Sequence, residues 1–258
     1  MISFSELGNL GRLGNQLFQY SYLRSQANRM GVSYACPHWI GDDLFNLNES
    51  NRIISDITCK KEYREPESNC GFNKSAIEIE DDTDVWGFYQ SPNYFCDEVK
   101  SWLTFSNKIV DPSLKKYVGI HLRFGDYVSL EHVYTKLAVS YYKNAISNFF
   151  GKNFLVFSDD IQCAKILLAD IKSEHLEYFT GETDLDDFIG LMGCHGHIIC
   201  NSSFSWWAAY LSPNNNFDHI NSLVVYPRQW FNPKWKTQNN DIGIYNWKSI
   251  SHETNIQN

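Results

Sequence analysis

The sequence carries little positive charge and no long apolar run. Its 22 lysines and arginines face 30 aspartates and glutamates, which gives a net charge of −8 and a pI near 5.4. Nucleic-acid-binding proteins neutralise phosphates with clustered basic residues, so this class is excluded. A membrane-spanning helix needs roughly 20 consecutive apolar residues, so we predict no membrane span and leave peripheral membrane contact open. The N-terminus lacks a basic stretch followed by an apolar segment, so we also predict no signal peptide.

Cysteine pairs at metal-binding or redox spacing are also absent. The seven cysteines are odd in number and scattered, and none forms a Cys-x-x-Cys motif. A chain of 258 residues is long enough to fold around a hydrophobic core without disulfide bonds. We therefore expect reduced thiols in a cytoplasmic protein.

The composition is that of a chain with a substantial hydrophobic core. It is 43% hydrophobic and 16% aromatic, and its length fits one large domain or two of moderate size. In the second half, short apolar runs alternate with segments of helical periodicity, which predicts a parallel sheet of roughly five strands with helices on both faces. The predicted strands lie at 117–122, 153–157, 175–179, 197–200 and 222–227, and the predicted helices at 139–150, 160–169, 184–194 and 205–211.

The first half begins a second unit of the same kind. A short strand and a glycine-rich loop precede a predicted helix over residues 15–30, with Gly31 as its left-handed C-cap. "VSYACP" is predicted as the next strand, and residues 41–84 as irregular and polar. We place the boundary near residue 112, which gives two lobes: residues 1–112 and residues 113–258.

Polar clusters follow three of the predicted strands of the second half. In open parallel α/β sheets, ligands bind beyond the carboxyl ends of the strands. A helix start offers backbone N–H groups to an anion, and an arginine adds a fork that matches phosphate oxygens. We therefore predict a nucleotide diphosphate held by Arg123 and the 202–205 helix start, with Asp159 or Asp160 accepting from the base or ribose. The clusters are His121, Arg123 and Asp126; Ser158, Asp159 and Asp160; and Asn201, Ser202, Ser203, Phe204 and Ser205.

Each cluster also has a plainer interpretation. A serine-rich turn before a helix is ordinarily an N-cap, and "SDD" is an ordinary helix start. "DTD" at 82–84 and "DLD" at 184–186 resemble the Asp-x-Asp of metal-dependent sugar transferases. We interpret the first as part of an acidic loop and the second as the first turn of a helix, and we predict no metal site.

Five segments together resemble a known family. They span residues 11 to about 231 when "YPRQWF" is included, and they occur in the order typical of that family. The chain resembles the bacterial-type α-1,2-fucosyltransferases, glycosyltransferase family 11. The segments are "GRLGNQLFQY" (11–20), "GFYQSPNYF" (87–95), "GIHLRFGDYV" (119–128), "FSDD" (157–160) and "NSSFSWWAAYL" (201–211).

The resemblance implies a fold and a reaction. The fold is GT-B-like α/β, with two Rossmann-like lobes whose parallel sheets face a central cleft, the acceptor lobe first and the nucleotide-sugar lobe second. The reaction is an inverting, metal-independent transfer of L-fucose from GDP-fucose to a sugar hydroxyl in glycan or polysaccharide synthesis. The partners are then the GDP-sugar and a glycan acceptor, and because the GDP-sugar is a substrate, no cofactor is expected.

The resemblance also implies roles for individual residues. Arg123 would bind the diphosphate and stabilise the charge on the leaving group, while His121 and Asp126 would position it and its loop. The base that deprotonates the acceptor is either Asp126 or an acid in a loop of the first lobe. The implied donor-binding residues of the first lobe lie at its first helix: Gly14, Asn15 and Gln16.

One position departs from the family pattern. The family motif is His-x-Arg-Arg-x-Asp, and Phe124 stands in place of its second arginine. Two alternatives therefore stay open: a transferase that uses another nucleotide sugar, and a non-catalytic protein that binds nucleotides or sugars.

Overall fold

The computed structural model divides into two compact units. It describes residues 1–47, 49, 52–53, 58–66, 71–106, 110–125, 130, 132–171, 176–214, 223–232, 234–235 and 241–251. The first unit comprises the described residues of Met1–Ile109 and Lys236–Ile242, and the second those of Val110–Trp235 and Gly243–Asn258. Asp126, one of the predicted site residues, lies outside the described residues.

The first unit is built on a parallel sheet of five described strands. The order is β3-β2-β1-β5-β4, and every pairing is parallel. The strands are β1 (Ile2–Ser3), β2 (Tyr34–Ala35), β3 (Arg52–Ile53), β4 (Lys61–Arg64) and β5 (Thr83–Trp86), and the helices are α1 (Leu13–Met30), α2 (Ile40–Leu44), α3 (Lys74–Ile77) and α4 (Val99–Trp102).

Helix α1 is the main helix of the first unit. It ends where the sequence predicts, at Gly31, which adopts φ 68° and donates its N–H to the last-turn carbonyls. Most of the helix is buried, and its polar residues are used inside the fold. The side-chain amides of Gln16 and Gln19 donate to backbone carbonyl groups of neighbouring loops, and that of Gln26 donates to the carbonyl group of Ile77, the last residue of α3. Glutamines in this helix therefore fix the loops around it.

The prediction that residues 41–84 are irregular is wrong. The segment contributes β3, β4 and the start of β5 to the sheet. Strand β4, with the sequence Lys-Glu-Tyr-Arg, lies at the sheet edge and is largely exposed, so it has no apolar alternation. Backbone pairing with β5, from Lys61 opposite Thr83 to Arg64 opposite Trp86, holds it in place. A largely exposed edge strand of this kind has no side-chain pattern by which the sequence could indicate it.

The second unit contains a parallel sheet of six described strands in the order β11-β10-β9-β6-β7-β8. Five of the strands match the predicted ones, and the sixth, at the far edge, was not predicted. The α/β fold with two parallel sheets is therefore confirmed. The strands are β6 (Tyr117–Leu122), β7 (Asn153–Ser158), β8 (Leu176–Tyr178), β9 (Gly196–Ile198), β10 (Val224–Pro227) and β11 (Lys248–Ile250); the helices are α5 (Val139–Ile146), α6 (Ile161–Leu168), α7 (Asp184–Gly193) and α8 (Ser203–Leu211).

The central strand β6 is buried along its whole length. Helices cover both faces of a parallel sheet, so a central strand has no solvent-facing residues and is apolar at nearly every position. The even-numbered side of the strand packs into the main core of the unit, and Phe124 joins that core just beyond the end of the strand. The core residues of this side are Val118, Ile120 and Leu122.

The two Asp-x-Asp segments have structural roles. Asp184 and Asp186 lie in the first turn of α7, where Thr183 and Asp186 form a capping box, as the helix interpretation predicts. Asp84 accepts hydrogen bonds from Ser3 and Ser5. Among the described residues, no three His, Cys, Asp or Glu side chains are grouped to hold a metal ion. No helix in the described part of the chain is both long and apolar enough to span a membrane.

Candidate active site

The sheet of the second unit has a topological switch point beside β6. The chain runs from β6 to β7 and β8 on one side, then crosses to β9 on the other. Loops that leave in opposite directions open a crevice at the carboxyl ends of such strands, which is where α/β proteins bind ligands. The three predicted clusters lie at or just beyond the carboxyl ends of β6, β7 and β9, which are direct neighbours in the sheet. The fold therefore brings the described members of these clusters to one edge.

Arg123 and Asp159 form an ion pair at this edge. The Arg123 Nη1 atom lies 3.1 Å from the Asp159 Oδ2 atom, and the two side chains are only 15% and 21% exposed. The same carboxylate accepts the backbone N–H of Phe124 at 3.0 Å and that of Gly125 at 3.0 Å. Asp159 therefore fixes both the guanidinium and the loop that follows β6. Three donors use most of the roughly four acceptor positions of a carboxylate.

His121 is buried within the same edge and lies against two residues that follow β9. Its Nδ1 atom is 3.1 Å from the Cys200 Sγ atom, and its ring stacks on Phe204 with centroids 5.3 Å apart. Burial lowers the pKa of His121 to about 4, although nearby Asp159 acts in the opposite direction. Burial also raises the pKa of the Cys200 thiol well above its usual range. The imidazole and the thiol are both neutral at pH 7.

The segment from Asn201 to Ser205 combines an anchor with a helix start. The side-chain amide of Asn201, which is 2% exposed, donates to the carbonyl oxygens of Thr135 at 2.7 Å and Trp230 at 2.8 Å. Ser202 is the N-cap of α8, but its side chain makes no capping hydrogen bond. The start of a helix is a common anion site in proteins, because the first-turn N–H groups have no partners within the helix. Ser202 thus occupies the N-cap position without the side-chain hydrogen bond that usually accompanies it.

Ser158 and Asp160 form the start of α6. The Asp160 carboxylate accepts the backbone N–H of Cys163 at 2.9 Å, which lowers the pKa of Asp160. The Ser158 hydroxyl accepts from the Asp160 backbone N–H at 3.1 Å and donates to its carbonyl oxygen at 3.2 Å. The helix-start interpretation of "SDD" thus describes these two residues, and their role toward a base or ribose stays a prediction.

The first unit has its own switch point, between β1 and β5. The glycine-rich loop follows β1 and the segment 87–95 follows β5. The Gln90 side-chain amide donates to the Asn15 Oδ1 atom at 2.8 Å, which links the segment 87–95 to the first turn of α1. Gly11 adopts φ +82°, and a Cβ atom there would lie 2.4 Å from the Asn15 Nδ2 atom, so the position requires glycine.

The other two predicted site residues of the first unit, Gly14 and Gln16, lie in α1 on either side of Asn15. Gln16 donates to the carbonyl oxygens of Gly8 at 3.2 Å and Gly11 at 3.0 Å, and so shapes the glycine-rich loop. Gly14 is buried within α1. Gln90 was not among the predicted site residues, although it belongs to "GFYQSPNYF", one of the five segments that resemble the family.

Comparison with known proteins gives one family. The model for "Glycosyl transferase family 11" matches residues 60–251. The chain is 28% identical to the α-1,2-colitosyltransferase of Escherichia coli, over 86% of this chain and 90% of that protein. It is 30% identical to the galactoside 2-α-L-fucosyltransferase Sec1 of Mus musculus, over 53% of this chain and 42% of that protein. The solved fucosyltransferase NodZ from Bradyrhizobium aligns with a TM-score of 0.46 at 13% identity, over 82% of this chain and 93% of that one.

Proposed function

Because the chain belongs to glycosyl transferase family 11 and is a glycosyltransferase, we propose that it transfers L-fucose from GDP-fucose to a sugar hydroxyl. The new bond is an α-1,2 linkage, formed with inversion at the anomeric carbon. The observation that carries the proposal is the Arg123–Asp159 pair, which lies at the switch-point edge where the α8 helix start also faces. The second unit is thus the nucleotide-sugar lobe and the first the acceptor lobe.

Arg123 and the start of α8 neutralise the leaving diphosphate. Charge builds up on the diphosphate as the bond to the sugar breaks, and fixed donors aimed at that charge stabilise the transition state. Asp159 holds the guanidinium before the donor arrives, so little reorganisation is needed during the reaction. These groups supply the positive charge that a metal ion provides in other transferases, and the reaction we propose is metal-independent.

His121 positions the groups that bind the diphosphate and contributes no charge of its own. Its pKa of about 4 keeps the imidazole neutral at pH 7. The ring connects β6 to the α8 start through Cys200 and Phe204. The Nδ1 contact with Cys200 leaves Nε2 as the nitrogen on the opposite edge of the ring, and this atom serves as a neutral hydrogen-bonding group.

The names of two relatives support the linkage and define a second candidate donor. Both names specify transfer to position 2 of the acceptor, but one specifies colitose and the other L-fucose. A donor that carries colitose is therefore the alternative to GDP-fucose. Phe124, which replaces the second arginine of the family motif, packs against the core of the unit. Its ring does not interrupt the Arg123–Asp159 pair, which supports retention of the diphosphate site.

The test is a transfer assay with a panel of donors and acceptors. GDP-fucose, a colitose-carrying donor, GDP-mannose, UDP-galactose and UDP-glucose would each be incubated with galactosides, with and without EDTA. We expect turnover with GDP-fucose, unchanged by EDTA, and a product whose linkage is α-1,2 by nuclear magnetic resonance. Turnover with UDP-sugars alone would contradict the donor assignment, and loss of turnover on chelation that added metal restores would contradict metal independence.

A further inference from the structure

A buried carboxylate holds the loop that carries Gln90. Glu65 follows β4 and is 8% exposed. Its Oε2 atom accepts the backbone N–H of Phe88 at 2.8 Å and that of Tyr89 at 2.9 Å. The Tyr94 hydroxyl donates to the Oε1 atom at 3.3 Å. One side chain therefore contacts the segment 87–95, here called the β5 loop, at both ends.

The β5 loop needs such a constraint because its backbone is unfavourable. Tyr89 adopts φ +48°, a left-handed conformation that residues with large side chains rarely adopt. A Cβ atom on Gly87 would lie 2.5 Å from the Glu65 Cβ atom, so only glycine permits this approach. Strained backbone persists where surrounding contacts determine it, and the two amide hydrogen bonds to Glu65 are such contacts.

A second carboxylate fixes the other side of Gln90. Asp241 accepts hydrogen bonds from the Ser91 hydroxyl at 2.9 Å and the Asn93 side-chain amide at 2.9 Å. Gln90 thus lies between a stretch held by Glu65 and a stretch held by Asp241. Its own side chain is directed to Asn15 at 2.8 Å. The position of the Asn15 amide is set through the β5 loop.

We propose that Glu65 is a positioning residue for the transfer reaction, which holds the β5 loop so that Gln90 fixes Asn15. The proposal rests on the proposed function in one respect, the donor-binding role of Asn15 that the family resemblance implies. Glu65 does not touch substrate in this role. It acts through two backbone amides and one glutamine side chain.

The proposal gives activity a pH dependence with a defined sign. Burial raises the pKa of Glu65 from its ordinary value of 4.5 to about 7, against the hydrogen bonds it accepts, and Asp241 raises it further. The ionised carboxylate is the stronger acceptor for the loop amides. Activity is therefore highest above pH 7 and declines as the pH falls through 7. The other titratable groups that face Glu65 are tyrosines whose pKa burial raises above the usual range: Tyr22, Tyr63, Tyr89 and Tyr94.

The contribution of Glu65 to folding stability changes with pH in the direction opposite to the activity. This difference distinguishes a positioning role from a purely structural one. The folded state binds the Glu65 proton more tightly than the unfolded chain does. Between the ordinary pKa of 4.5 and about 7, a rise in pH therefore weakens the contribution of Glu65 to stability. Acidification from pH 8 to pH 6 should strengthen that contribution while the activity falls. A purely structural role predicts that the activity follows the stability.

The experiment compares Glu65→Gln with Thr83→Val as a matched control. Thr83 is buried on β5 and its hydroxyl donates to the Glu80 carbonyl oxygen at 2.8 Å, so its loss removes one partly buried hydrogen bond beside the same sheet. Glu65→Gln should lower kcat/KM on the order of tenfold at pH 8 and remove the decline near pH 7, because displaced reacting groups slow catalysis. Thr83→Val should leave both the rate and the pH profile unchanged. An unaltered decline near pH 7 in Glu65→Gln would overturn the proposal.

Gln90→Ala is a second variant, which tests the proposal even if the Glu65→Gln protein fails to fold. If Glu65 acts through Gln90, Gln90→Ala should remove the same decline, and adding Glu65→Gln should cost no further activity. Additive losses in the double variant would overturn the proposal. Hydrogen exchange of the Phe88 and Tyr89 amides should accelerate in Glu65→Gln but not in Gln90→Ala. Hydrogen exchange needs no substrate, so this measurement tests the role of Glu65 whichever donor the enzyme uses. An incorrect donor assignment would instead appear as absent turnover with GDP-fucose in the wild-type protein.

Discussion

Arg123 is the residue on which the proposed chemistry depends most directly. Arg123→Ala should lower kcat/KM by about 10²–10³, because a transition-state charge partner is lost. Arg123→Lys should recover little, since an ammonium group cannot replace the planar fork. Steady-state kinetics would measure both, with Lys165→Ala on α6 as the control that removes an exposed positive charge from the same unit. Near-normal turnover in Arg123→Ala would show that the diphosphate binds elsewhere.

Asp159 determines whether Arg123 is correctly placed. In Asp159→Asn, an amide N–H must face either the Phe124 amide or the Arg123 and Gly125 donors, so the three present hydrogen bonds cannot all form. The displaced guanidinium should cost on the order of 10²-fold in kcat/KM.

The neighbouring carboxylate supplies the control for this prediction. Asp160 caps α6, and asparagine caps helices as well as aspartate does, so Asp160→Asn should leave the rate almost unchanged. Equal losses in Asp159→Asn and Asp160→Asn would instead support a direct role of both carboxylates in binding the base or ribose.

At the scale of elements, Asn201 connects the segment after β9 to two other loops of the second unit. Its amide satisfies two carbonyl groups from segments distant in the sequence, at Thr135 and Trp230. Asn201→Ala leaves these buried carbonyls without their donor, which costs roughly 2–4 kcal/mol. For a chain of this length, the midpoint of thermal unfolding should then fall by about 2–4 °C per kcal/mol.

Circular dichroism would follow the melting of Asn201→Ala beside that of Asn148→Ala. Asn148 is exposed, and its amide bonds to the Asn144 carbonyl oxygen on the protein surface. Substitution of Asn148 should change the midpoint by no more than about a degree, since exposed groups exchange one partner for water. If both variants melt like the wild type, Asn201 does not serve as an anchor.

For the whole molecule, nucleotide binding should appear as a gain in stability. A ligand at 100 times its dissociation constant adds about 2.7 kcal/mol to the free energy of unfolding. This corresponds to a rise of several degrees, at about 2–4 °C per kcal/mol, and to less if the two units unfold separately. We expect the rise with GDP, a smaller one with UDP and none with ADP. Arg123→Ala should remove the GDP effect, and a larger shift with UDP would contradict the proposed donor.

The sequence by itself determined the elements whose signals are local. The buried strand β6 is apolar at nearly every position because both of its faces are covered, and the end of α1 is marked by the one residue type that readily adopts φ 68°. Family-specific segments such as "NSSFSWW" depend only on residue order, so residue order alone was enough to indicate the family. The same local reasoning placed Asp184 and Asp186 in the first turn of α7.

Only the tertiary structure decided which of these residues meet. Arg123 and Asp159 follow two different strands, β6 and β7. Asn15 lies at the start of α1, and Gln90 lies in the loop after β5. The order of the strands in each sheet brings the two members of each pair together. The exposed edge strand β4 was missed because backbone pairing with β5 stabilises it, and Glu65, at its end, was missed with it. Hydrogen bonds and ion pairs between distant segments leave no periodic trace in a sequence, because they depend on distances in space that chain closure and packing set together.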